Sequence, residues 1–274
     1  MFRTRLISSI VLVIAALFFI LKGGYLLAAM LLFLSLVGYR ELMKACKLSS
    51  GSGRFSSLEI AGYAGIAAYY LLMFFTAERL YLFLAVIMIL AVFMFLYVFT
   101  FPKYRAEQIM CAFFNVIYAP VMLSCIYLVR SLPYGVYSVW MIFISSWICD
   151  TCAYAVGMLI GRHKMVPKLS PKKSIEGAVG GIVGSAIVGA LYGYFIVEPV
   201  IAEQNVTWAF VVISAVGAVI SQIGDLAASA IKRNHEIKDY GKLIPGHGGV
   251  MDRFDSVIFT APMIYLLVLI LIHG

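Results

Sequence analysis

Leu80 to Thr100 reads LYLFLAVIMILAVFMFLYVFT, an apolar run without one Asp, Glu, Lys or Arg. A helix that crosses a bilayer needs about 20 such residues, and hydrocarbon offers no water to satisfy a loop or an open strand edge. The stretch is therefore read as a membrane-spanning helix. Windows of the same kind fall at 6–21, 25–39, 58–75, 109–129, 136–160, 177–197, 205–231 and 254–272. With 80–100 they predict an all-α fold, a polytopic integral membrane helix bundle of about nine transmembrane helices. The first two windows could also close as a tight helical hairpin. Composition agrees, with 63% of the 274 residues hydrophobic and 12% charged, against about 45–50% and about 25% in soluble domains.

Charge placement predicts the orientation. With the N-terminus inside, 18 of the 21 Lys and Arg fall on one side, and only Lys22, Arg79 and Arg130 on the other. The positive-inside rule makes the basic side cytoplasmic. The net charge of +8 thus reflects topology, and it suits anionic lipid headgroups. No aromatic-basic module accompanies it, so nucleic acid is not an expected partner. Of the five cysteines, Cys149 and Cys152 form a C-x-x-C inside an apolar span, where packing is the expected role.

Polar chemistry is uneven along the chain. Residues 1–135 read as scaffold spans, and 136–274 as a catalytic half within one membrane unit. Three places concentrate the chemistry. From Asp150, the residues Tyr154, Gly157 and Gly161 recur on one helix face. An acid at membrane depth costs about 2.5–3.5 kcal/mol by insertion scales, so Asp150 is expected to face a polar cavity or a cation. Next, Ser170-Pro171-Lys172-Lys173-Ser174-Ile175-Glu176-Gly177 sets lysines ahead of a helix that Ser174 can cap, a good phosphate site. An ordinary basic loop would share that charge, and the glycines that follow are best read as helix packing.

The third place is 229–256, SAIKRNHEIKDYGKLIPGHGGVMDRFDS. Lys232, Arg233, Lys238 and Arg253 offer cations for phosphate. Asp239, Asp252 and Asp255 offer carboxylates, and Gly246, Gly248 and Gly249 let backbone N–H groups approach a ligand. On the preceding helix Ser221, Asp225, Ser229 and Lys232 share one face. Acids from both flanks of the loop suit a magnesium–nucleotide site, where the metal takes a few carboxylates plus substrate phosphates. Neither Asp225 nor Asp252 has an obvious partner on its own helix. His247, among glycines, suits hydrogen bonding to phosphate or fixing the loop better than metal ligation, and Asp255 suits orienting Arg253 or the loop.

The pattern S-x-I-K-R-x4-K-D-x-G-x2-I-P-G-H-G-G-x-x-D-R-x-D, from Ser229 to Asp255, closely resembles the signature of the phosphatidate cytidylyltransferases, the CDP-diacylglycerol synthases. The upstream D-x-x-A-Y-x-x-G-x-x-x-G-R and S-P-K-K-S-x-E-G-x-x-G-G blocks look like the same family. The resemblance covers roughly the C-terminal half. It implies transfer of cytidylyl from CTP to phosphatidic acid, with magnesium held by Asp225 and Asp252 and a second cation left open. It also implies a homodimer, a bacterial plasma (inner) membrane location and a cytoplasmic active site, with lysines 172, 173, 232 and 238 and Arg233 handling phosphates. A transporter with intramembrane carboxylates is the rival from another class. A CDP-alcohol phosphotransferase would need a D-G-x2-A-R motif, which is absent, as is a P-loop.

Overall fold

A computed structural model describes residues 2–49, 55–76, 78–201, 206–243 and 248–274, with backbone alone for 2–10 and 12. Among these lie nine long helices: α1 Phe2–Lys22, α2 Gly24–Ala45, α3 Ser57–Phe75, α4 Arg79–Thr100, α5 Ala106–Arg130, α6 Gly135–Ile160, α7 Ile175–Val197, α8 Thr207–Asn234 and α9 Met251–Leu271. Eight of them, α2 to α9, are long and apolar enough to cross a membrane, and α1 covers the first expected window. The all-α integral membrane class is what the structure has. A small exception lies between α6 and α7, where β1 (Lys164–Val166) pairs antiparallel with β2 (Ser170–Ser174). Pro171 sits in that ribbon, as an edge strand permits.

The chain divides into two compact units. The first comprises 1–127 and 235–253, and the second 128–234 and 254–274. In the first unit, Gly23 and Gly24 take φ of 62° and 50° between α1 and α2, a left-handed turn that glycine adopts without a Cβ penalty. Ser56 caps α3 in a reciprocal box with Glu59: Glu59 N donates to Ser56 Oγ at 3.2 Å, and Ser56 N to Glu59 Oε2 at 2.8 Å. Pro120 lies in a widened turn of α5, Ile117–Val121. Its carbonyl accepts from Tyr70 Oη at 3.1 Å, and Tyr70 also bonds Ser35 Oγ at 2.7 Å. These two buried hydroxyls are thus satisfied inside an apolar bundle.

The second unit is built on close backbone approach. A Cβ on Gly181 would lie 2.9 Å from Cys149 Sγ, and one on Gly180 would lie 2.6 Å from the Val156 side chain. Helices α6 and α7 therefore pack through the small-residue face of α7, as membrane helices do without a hydrophobic driving force between them. The C-x-x-C lies in this contact. Cys149 is buried, and Cys152 Sγ would sit 2.5 Å from a Cβ on Gly184.

Candidate active site

Within the second unit a cavity of about 460 Å³ is lined by Asp150, Tyr154 and Gly157 of α6, Lys164 and Met165 of β1, and Lys172, Lys173 and Ser174 of β2. Gly177 and Ala178 of α7 and Gln222 of α8 complete it, with Ala153 and Met158. The sequence explains how these meet. Ser174 Oγ accepts from Gly177 N at 3.1 Å and starts α7. The same hydroxyl would lie 2.6 Å from a Cβ on Gly161, so glycine at the end of α6 lets the ribbon turn back tightly onto it. Gln222 Nε2 donates to Ala178 O at 3.1 Å and to Cys149 Sγ at 3.3 Å, fixing its amide between helices.

The electrostatics converge on Lys173. Its Nζ forms an ion pair with Asp225 Oδ2 across the unit, both side chains being 27% exposed. Beyond that pair Nζ is buried and finds no hydrogen-bond acceptor among the described residues. An ammonium has three donors, so this one is left with capacity for an anionic oxygen. The carboxylates of Asp150, Asp225 and Asp255 lie in one another's field, with Lys173 and Lys232 as the cations beside them. Among the described residues, no three His, Cys, Asp or Glu side chains gather as a ready metal-ligand set.

Other expected site residues take different places. Glu176 accepts from Arg162 N at 3.1 Å and from His163 Nδ1 at 2.6 Å, tying the entry of the ribbon to the start of α7. Asp255 Oδ1 accepts from Ser256 N at 2.8 Å. Ser229 and Lys232 are half-buried on α8, Arg233 is exposed at its end, and Lys238 and Asp239 are exposed in the segment that follows.

In the first unit, Asp252 is buried near the start of α9. Its Oδ2 accepts from Tyr240 N at 2.8 Å and from Gly249 N at 3.0 Å, folding the signature loop back on itself. Gly248 has φ +83°, and a Cβ there would lie 2.8 Å from Asp252 Oδ2, so this position requires glycine on both counts. Gly246 and His247 lie outside the described residues. Lys164, Met165 and Gln222 were not among the expected site residues. Lys164 and Met165 join the cavity through the ribbon, which carries no helical period to signal it.

Known proteins place this chain. It is 30% identical to a phosphatidate cytidylyltransferase of Staphylococcus epidermidis over 280 residues, covering 97% of this chain and 99% of the relative. One from Staphylococcus aureus is 29% identical over 273 residues with the same coverage. One from Staphylococcus saprophyticus is 31% identical over 171 residues, 61% of this chain and 62% of the relative. The family model described as the cytidylyltransferase family matches residues 3–271. With that match running over nearly its whole length, the chain belongs to the cytidylyltransferase family.

Proposed function

We propose that this protein transfers the cytidylyl group of CTP to phosphatidic acid, giving CDP-diacylglycerol and pyrophosphate. The observation that carries the reading is the Lys173 ammonium, buried at a cavity lined by two further lysines and by apolar side chains. Cations among apolar walls suit an amphiphile with a phosphate head. Tyr154 and Met158, 68% and 66% exposed, form an apolar rim suited to acyl chains. The cavity is accordingly assigned to phosphatidate, and the glycine-rich signature loop to CTP.

The chemistry asks for little beyond placement. A phosphatidate oxygen, already anionic, attacks the α-phosphorus of CTP. The bond from that phosphorus to the bridging oxygen breaks, and pyrophosphate leaves with the electron pair. No strong base is required, so positioning and charge neutralisation dominate. Lys173, with Lys172 and Lys164, holds the nucleophilic phosphate. Magnesium fits the carboxylates gathered near Asp225, because this ion takes one or two carboxylates and fills its remaining positions with water and substrate phosphates. The pairing of Asp225 with Asp252 as the acids that hold it is proposed on the family resemblance alone, a second cation being left open. When bound, it offsets charge on the triphosphate and the departing pyrophosphate.

The plasma membrane, a cytoplasmic active site and a homodimer belong to the same proposal, the cytoplasmic side supported by the basic loops and the other two by the resemblance. No observation favours transport. Membrane vesicles carrying the protein test activity and sidedness together. Inverted vesicles, cytoplasmic face outward, are expected to release pyrophosphate from added CTP only when supplied with phosphatidate. Right-side-out vesicles are expected to release none. Equal release from both preparations would contradict the sidedness, and no release from either would contradict the activity.

A further inference from the structure

Glu41 lies near the end of α2, among the spans read as scaffold, and is 6% exposed. Its Oε1 accepts from Val250 N at 3.1 Å and its Oε2 from Met251 N at 2.9 Å. These donors belong to the start of α9, where unsatisfied N–H groups concentrate positive potential and two charge-assisted bonds make a strong clamp. Two signature-loop glycines press on the same group. A Cβ on Gly241 or on Gly249 would run into the Glu41 carboxylate. The far end of a glutamate ordinarily swings aside, but this one is pinned by two backbone donors, so yielding would break the clamp. Next to it, Asp252 ties Gly249 N to Tyr240 N. Two acids thus hold both ends of the loop, one of them from 209 residues away along the chain.

We infer that Glu41 is a positioning residue for cytidylyl transfer. It sets the shape in which the signature loop presents Asp252 and its backbone N–H groups, and positions 241 and 249 are glycine because its carboxylate occupies the space. The inference rests on the proposed reading that this loop takes CTP.

The test is steady-state kinetics of the purified full-length protein in mixed micelles with both substrates varied. Glu41→Gln keeps the size but turns one acceptor into a donor facing an N–H. It is expected to raise KM for CTP at least about fivefold, with KM for phosphatidate held within about twofold. A purely structural role would lower the folded fraction, and with it kcat, while leaving both KM values alone. Gly249→Ala is expected to reproduce the split and carries the test if Glu41→Gln does not fold. Glu41→Ala with Gly249→Ala is expected to be no worse than Glu41→Ala alone, because the new methyl then has room. A wild-type KM for CTP in Glu41→Gln, or a double variant impaired by the product of the single effects, overturns the inference. Asp252→Asn in the same assay separates the two levels. If it abolishes transfer while Glu41→Gln behaves as wild type, only the positioning role fails. If it retains transfer, the reading of the loop fails and the inference with it.

Discussion

Asp225→Asn and Asp252→Asn are each expected to leave no more than about a thousandth of the wild-type transfer rate, with the protein still folded. Both substitutions keep side-chain size and remove charge. At 252 the asparagine oxygen still accepts from Tyr240 N and Gly249 N, the donors that meet Oδ2 in the native loop, so the loop keeps its path. The expected stability cost is about 1–3 kcal/mol, for exchanging a charged acceptor for a neutral one. At 225 the change removes the partner of Lys173 and one of the two acids beside it. Loss of transfer with a preserved thermal unfolding transition is the expected pair of results. Near-normal turnover in both variants at saturating magnesium would contradict the proposed metal acids.

Lys173→Met is expected to lower kcat/KM for phosphatidate by at least about a hundredfold, as the loss of a charge-assisted phosphate contact from a confined site implies. Methionine fills the aliphatic stem but supplies no donor, and it leaves the Asp225 carboxylate without its cation. With the ammonium buried and both side chains 27% exposed, the pair lies between a surface and a buried bridge, and the folding penalty is expected to be about 1–3 kcal/mol. Lys172→Met, at an exposed side chain of the same cavity, is expected to cost under about tenfold. The measurement is initial rate against phosphatidate at saturating CTP. An unchanged kcat/KM in Lys173→Met would remove the phosphate from this cavity.

Local patterns were legible in the sequence, and contacts made at a distance were not. Each apolar window falls on a helix, because hydrocarbon leaves a spanning segment no other way to satisfy its backbone. The Ser174 cap and the packing glycines of α7 were equally readable, since each acts within a turn or along one face. The partner of Asp225 was not: Lys173 lies on a short ribbon far from α8 in sequence, and no period or spacing ties the two. Asp255 suggested Arg253 or the loop by adjacency, and nothing in the sequence pointed to the field of Asp225, Lys232 and Asp150 that it shares in the folded second unit. Glu41 had no signal at all. It follows Arg40 near the end of an apolar helix, and only the folded chain shows it buried against the signature loop.

Cytidylyl transfer joins the α-phosphorus of CTP to phosphatidate and frees the β- and γ-phosphates together. The most direct measurement follows the position of label with purified protein, phosphatidate and magnesium. CTP labelled at the α-phosphate is expected to deliver its label to a lipid-extractable product. CTP labelled at the γ-phosphate is expected to deliver it to pyrophosphate in equal molar amount. Label from the γ-position in the lipid, or in inorganic phosphate with no lipid product, would contradict the account.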